Sequence, residues 1–127
     1  MPDSSQTNEN RAILADFVDI FLGQRAIRTA FEKHVHEDYV QHSSGIANGR
    51  ESAILALEAM FARMGDVKVE VRRVLVDGEH AAVYISGGDV AGGAAYDVVD
   101  LFRLQGGKIV EHWDVFAPRR QDGRPVI

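Results

Sequence analysis

The sequence predicts an α+β domain whose helices pack on one face of an antiparallel sheet. Three observations carry this. Apolar residues recur at helical spacing through the first half of the chain. They alternate at strand spacing through the second half. The chain has 127 residues, 46% of them hydrophobic and 26% charged, and no cysteine. That is one domain with a real core, and it excludes disulfides, thiolate metal sites and cysteine nucleophiles. Helices first and then a meander places the helices against the sheet. A curved sheet around long helices leaves a cone whose open end is a natural ligand pocket.

Ile13, Phe17 and Phe21 recur every four residues, with Leu14, Val18 and Leu22 beside them, a wide apolar helical stripe. Gly23 sits where a left-handed cap would close this helix. Ile27, Ala30, Phe31 and His34 share one side of a second, shorter helix. A third starts at Asn48. Glu51 follows three residues later, so Asn48 caps the helix and Glu51 reaches back. Ile54, Leu57, Phe61 and Met64 form its buried stripe, and Gly65 ends it.

The period then changes. Val67, Val69 and Val71 alternate with Lys68, Glu70 and Arg72. Arg73 breaks the parity and Val74 and Val76 resume it, which predicts a bulge near Arg72-Arg73. Asp77-Gly78 signals a hairpin turn, and residues 80–85 return from it. Residues 87–95 hold four glycines and read as a curved connection. Strands follow at residues 96–104 and 108–116, around a turn at Gln105-Gly106-Gly107. Residues 1–10 read as a disordered tail, 11–118 as the single domain, and 119–127 as a C-terminal tail whose Arg119, Arg120 and Arg124 are solvated.

Lys plus Arg number 14 against 19 Asp plus Glu, a net charge of -5. An acidic chain is a poor partner for a phosphate backbone, so no nucleic acid is expected. No apolar run approaches the ~20 residues that span a bilayer, so no membrane is expected either. Residues 1–10 lack the basic start and apolar stretch of a secretory signal, which makes the expected location cytoplasmic.

The last hairpin carries the chemistry. Side chains alternate faces along a strand. A three-residue turn at Gln105-Gly106-Gly107 pairs Leu104 with Lys108 and Asp100 with His112, its final glycine supplying the positive φ. A two-residue turn would instead set Asp100 opposite Trp113. With the first, Asp100, His112 and Asp114 share a face with Val98, Phe102, Val110 and Phe116. Two carboxylates and an imidazole among apolar neighbours cost free energy unless paired or used. Burial and a second carboxylate push a carboxyl group's pKa up, whereas acids beside an imidazole favour its charged form. Groups with split pKa values are what acid-base catalysis requires. The opposite face, with Val99, Leu101, Ile109, Trp113 and Val115, is more apolar and is the competing candidate for the core. His34 and His36 form a His-x-His pair, but no third ligand stands at a standard spacing. They read as a helix C-terminal cap and a surface residue, and no metal centre is expected. Tyr39, Tyr84 and Tyr96 read as packing residues.

Tyr39-Val40-Gln41-His42 followed by Asn48-Gly49-Arg50-Glu51 resembles the first half of SnoaL-like proteins. These are polyketide-cyclase-like members of the nuclear transport factor two-like superfamily. Val99-Asp100-Leu101-Phe102-Arg103-Leu104, then Gly107-Lys108-Ile109-Val110-Glu111-His112-Trp113-Asp114-Val115, resembles the closing hairpin of that family. The similarity covers roughly residues 12–118. It implies a cone-shaped barrel of strongly curved antiparallel sheet around three helices, and a homodimer. It also turns the Asp100 face inward. Asp100, His112 and Asp114 then meet in a deep apolar pocket, with His42 approaching from the segment after the second helix. Tyr39, Phe61, Val98, Phe102, Val110 and Phe116 form the wall that holds the substrate. The resemblance implies acid-base chemistry next to a carbonyl, without metal or cofactor, on a small apolar or carbonyl-containing molecule. Asp114 is the candidate base, and His112 or a protonated Asp100 the donor. The same cone also hosts proteins with no reaction, so a non-catalytic binding or dimerisation module is the alternative. With Asp100 inward, Val99, Leu101, Trp113 and Val115 form an outer patch suited to a dimer interface.

Overall fold

Leu14 and Phe17 anchor the first helix. In the computed structural model, which describes residues 4–43, 45–89 and 95–118, α1 spans Ser4–Val18 and buries Asn10, Leu14 and Phe17. From residue 4 onward, the expected N-terminal tail is therefore helix. The reason is polar and leaves no mark on apolar periodicity. Asn10 Nδ2 donates to Gly78 O at 2.8 Å, and Gly78 N donates to Thr7 Oγ1 at 2.9 Å. Asn10→Ala leaves that buried carbonyl unpaired and is expected to cost about 1–3 kcal/mol. Urea unfolding with an unchanged slope and a lowered midpoint would show it.

A π-helical turn, Asp19–Gly23, continues α1, and Gln24 N closes on Asp19 O. Gly23 therefore makes no left-handed cap. The left-handed residue is Arg25, at φ 56°. Its guanidinium lies 5.2 Å from the Phe61 ring centroid and donates to Val67 O. Helix α2, Ile27–His34, buries Ile27, Ala30, Phe31 and His34 as its spacing predicts. His34 closes it and binds Asp16 Oδ2 through Nε2 at 2.6 Å. His36 is exposed, and its Nδ1 accepts from Asp38 N at 3.0 Å.

Strand β1, Val35–Gln41, is a strand the sequence did not announce. Helix α3, Arg50–Met64, starts after Gly49 at φ 98° and ends at Gly65 at φ 67°. Asn48 does not cap it. Its Oδ1 accepts from Gln41 N at 2.9 Å, and Glu51 pairs with Arg28 at 2.8 Å instead of reaching back. The connection folds back on β1, where Gly49 N also binds Tyr39 O at 2.8 Å. Of α3, only Ala53 and Ile54 are fully buried, because Leu57, Phe61 and Met64 face a cavity.

Four long strands follow among the described residues: β2 Val67–Asp77, β3 His80–Asp89, β4 Ala95–Gln105 and β5 Lys108–Pro118. The expected bulge sits between Val71 and Arg73. Gly87 and Gly88 belong to β3, not to a loose connection, and residues 90–94 lie outside the described residues. Gly87 is required by close approach: a Cβ there would lie 2.6 Å from Tyr96 Cζ. The expected tail at residues 119–127, with Arg119, Arg120 and Arg124, also lies outside them.

The five strands form one sheet in the order β1-β5-β4-β3-β2. Pairing is antiparallel except between β1 and β5, which run parallel, so the sheet is mixed and not wholly antiparallel. The sheet does not close, because β1 and β2 are its two edges. Its concave side packs against the helices around Leu14, Phe17, Phe31, Ile54, Val83, Leu104 and Ile109. Among the described residues, no helix is long and apolar enough to cross a membrane.

Candidate active site

The β4–β5 hairpin reaches the predicted facing by a different route. Gly106 and Gly107 both have positive φ, 60° and 80°, and form a two-residue turn that pairs Gln105 with Lys108 and Leu104 with Ile109. Left alone, that turn sets Asp100 opposite Trp113. A register shift between Arg103 and Leu104 absorbs Val110 as an extra residue, so Phe102 faces His112 and Asp100 faces Asp114. Asp100 thus pairs with Asp114, not His112. The shift also turns Ile109 into the core at 0% exposure, whereas the simple alternation puts it outside.

The inward face opens on a cavity of about 420 Å³. Phe17, Phe21 and Phe31 wall it from the first two helices, and Leu57, Met60, Phe61 and Met64 from α3. Val83, Ile85, Val98, Phe102, Tyr96 and Phe116 close the sheet side, and Tyr39 lies between. Val110 is not among these lining residues, because it is the bulge. Gln41, Ser43, Asp100, His112 and Asp114 are the polar groups that line it beside the two tyrosines, and no Lys or Arg does so among the described residues.

The hydrogen bonds at the polar end set proton positions. Ser43 N donates to Gln41 Oε1 at 3.1 Å, and a backbone N–H only donates, so that atom is the amide oxygen. Gln41 Nε2 in turn donates to the Tyr39 hydroxyl at 2.9 Å. His112 Nδ1 lies 2.7 Å from Gln41 Oε1 and must carry a hydrogen to bond it. His112 Nε2 lies 2.8 Å from Asp100 Oδ1. One proton therefore lies between Nε2 and that carboxylate, on whichever atom holds it. Asp114 Oδ2 accepts from Ser43 Oγ at 2.8 Å. Burial pushes the Tyr39 phenol pKa well above its ordinary value, and the Asp100 charge adds to it, so Tyr39 stays a neutral O–H.

Two carboxylates in one site thus have different partners. Asp100 is half-buried against an imidazole, whereas Asp114 is exposed at the rim and held by a hydroxyl. One ligand atom from each of Asp100, His112 and Asp114 lies within 4.8 Å of the others. One nitrogen and two carboxylate oxygens are also a donor set suited to a divalent cation, although His112 Nε2 is engaged by Asp100 here.

His42 does not join them. It points to the outer face, where its Nε2 lies 2.7 Å from Glu111 Oε2 and its ring stacks on Trp113 at 4.9 Å. Alternation along β1 places Tyr39 and Gln41 inside and the residue after them outside. Gln41 and Ser43 occupy the place expected for His42. The signal that finds them is that same alternation, legible only once β1 is recognised as a strand.

The outer cluster has a pH consequence. Hydrogen bonds from His42 and from Arg103 hold the Glu111 carboxyl below its usual value of 4.5. A lowered folded-state pKa stabilises above the unfolded value and is lost as pH falls through the folded one. Glu111→Gln is therefore expected to flatten the acid side of the stability profile below about pH 4.5. Urea midpoints across pH 3–6 would check this.

Comparison with solved structures places the fold. A candidate ketosteroid isomerase from Kribbella flavida superposes with a TM-score of 0.76 at 23% identity, over 91% of this chain and 82% of that one. A nuclear transport factor two-like protein of unknown function from Mesorhizobium loti gives 0.74 at 22% identity, over 92% and 97%. A candidate SnoaL-like polyketide cyclase from Jannaschia gives 0.73 at 18%, over 91% and 90%. These likenesses establish the open α+β cone. None of the curated proteins matches the chain. The family model of the SnoaL-like domain matches residues 14–112, from the α1 core to the imidazole of the site. The chain belongs to the SnoaL-like domain family.

Proposed function

We propose that this protein is a small-molecule enzyme that performs acid-base chemistry next to a carbonyl, using its side chains alone. The sharpest form is an aldol-type cyclisation or an isomerisation. The observation that carries this is the 2.8 Å contact of His112 Nε2 with Asp100 Oδ1 at the polar end of an apolar cavity. Asp114 is the base. Its carboxylate takes a proton from the carbon next to the carbonyl, and the electron pair moves onto the carbonyl oxygen. The His112–Asp100 proton stabilises that oxygen as it gains charge. In an aldol step the carbon then attacks a second carbonyl, whose electron pair moves onto its oxygen and takes the proton back from Asp114, whereas in an isomerisation the proton returns to a different carbon. The separation of the three groups suits one carbonyl unit touching both base and donor. The apolar wall, with Phe61, Val98 and Phe102 and with Phe116 at its rim, lowers the local dielectric and strengthens these interactions.

Proton exchange tests the first step without the natural substrate. A panel of neutral cyclic and aromatic ketones in deuterium oxide, followed by proton NMR, should lose α-carbon signal faster with the protein than without. Binding of several ketones with no exchange above buffer would overturn the enzymatic reading. One observation favours a non-catalytic binding module instead. Ser43 with Asp114, His112 with Asp100 and Gln41 with Tyr39 already satisfy one another. Under that reading Asp114→Asn binds the same ketones with unchanged affinity and nothing exchanges.

The oligomer proposed is a homodimer through the outer sheet face, where Leu101 and Val115 are 39% and 63% exposed. Equilibrium sedimentation should find a dimer at micromolar concentration, and a monomer there would exclude it.

A further inference from the structure

The residues around His42 and those around His112 interlock through the sheet. On one side of His42, Gln41 receives His112 Nδ1–H; on the other, Ser43 donates to Asp114. On one side of His112, Glu111 binds His42 Nε2; on the other, Trp113 stacks on the His42 ring with an interplanar angle of 3°. His42 N also donates to His112 O at 3.0 Å. Glu111 is itself fixed, because its second oxygen accepts from Arg103 Nε at 2.8 Å. Among the described residues, strand β1 is an edge and pairs only with β5, so no second described strand holds the segment that follows it.

We propose that His42 is a positioning residue: from the outer face it fixes Gln41 and Ser43, and through them the tautomer of His112 and the orientation of Asp114. The effect on turnover rests on the acid-base reading above, whereas the effect on His112 does not. If His42 lets go of Glu111 and Trp113, the Gln41–Ser43 segment loses its outer anchor. Gln41 Oε1 then no longer demands a hydrogen on Nδ1, and the imidazole is free to turn away from Asp100.

The test reads the His112 ring directly. In protein with nitrogen-15-labelled histidine, the His112 Nδ1–H should give a low-field proton resonance, assigned by its loss in His112→Gln. His42→Ala is expected to broaden that resonance beyond detection. His42→Gln, which keeps a donor for Glu111, should retain it, and His42→Phe, which keeps only the stack, should tell the two contacts apart. His36→Ala, an exposed histidine elsewhere on β1, is the control and should change nothing. On a ketone that exchanges, His42→Ala should lower kcat about tenfold with KM within about twofold, the pattern of lost orientation. A His42→Ala protein that unfolds earlier but keeps the His112 resonance and kcat has lost packing alone, and the proposal falls. If no ketone exchanges with the unmodified protein, the acid-base reading falls, and the resonance still decides the role of His42.

Discussion

Asp114→Asn is expected to abolish proton exchange at carbon while leaving the fold intact. The side chain is exposed at the cavity rim, so the substitution buries nothing new. Asparagine keeps an oxygen that accepts from Ser43 Oγ, so the bond to the segment after β1 survives. Its amide cannot take a proton from carbon. The loss should reach the range of a missing general base, about 10²–10⁴-fold in kcat. Asp100→Asn is expected to do less, because the asparagine amide still offers an N–H donor beside His112 Nε2. Exchange rates and thermal midpoints measured on the same preparations check this. Equal exchange in Asp114→Asn and the parent protein would move the base elsewhere.

Phe17→Ala carries the largest expected cost in stability. The Phe17 ring sits at the centre of an aromatic cluster, 5.5 Å from Phe21, 5.4 Å from Phe31 and 5.8 Å from Phe102. It also meets the His34 ring edge-on at 6.5 Å. These contacts join α1, the π-helical turn, α2 and β4, so one truncation loosens four elements. Phenylalanine-to-alanine changes in cores cost roughly 3–5 kcal/mol. At this chain length that lowers the thermal midpoint by roughly 10–20 °C. Phe17 also walls the cavity, so the variant should bind bulkier ketones than the parent does. Differential scanning calorimetry and a size-graded ligand series would separate the two effects.

The parts legible in the sequence are those that apolar periodicity encodes. The stripes around Phe17, Ala30 and Ile54 place all three helices, and the break at Arg73 locates a bulge. Polar tethers leave no such trace. Asn10 and Thr7 hold the first helical turns through Gly78, far away in sequence, and so what reads as a tail is helix. Strand β1 is hidden for a related reason. Its middle residues His36, Glu37 and Asp38 are exposed at a sheet edge, so it shows only a fragment of strand alternation. Missing that strand turns His42 to the wrong side, because its direction follows from its place after Gln41. The facing of Asp100, His112 and Asp114 is legible because alternation survives compensating irregularities. The turn is one residue shorter than expected, and the bulge restores the parity.

The extra residue in β5 separates facing from shape. Remove Val110 and the two-residue turn still pairs Leu104 with Ile109, while Glu111 moves up against Arg103 with no bulge between. His112 and Asp114 would keep pointing inward, so a deletion there is neutral in phase. A bulged strand bends and twists more than a regular one, and that bend lies next to the imidazole. The hairpin can therefore lose or gain curvature at one position without exchanging its wet and dry sides. Curvature beside the cavity and the facing of Asp100, His112 and Asp114 are thus set by different features of one hairpin.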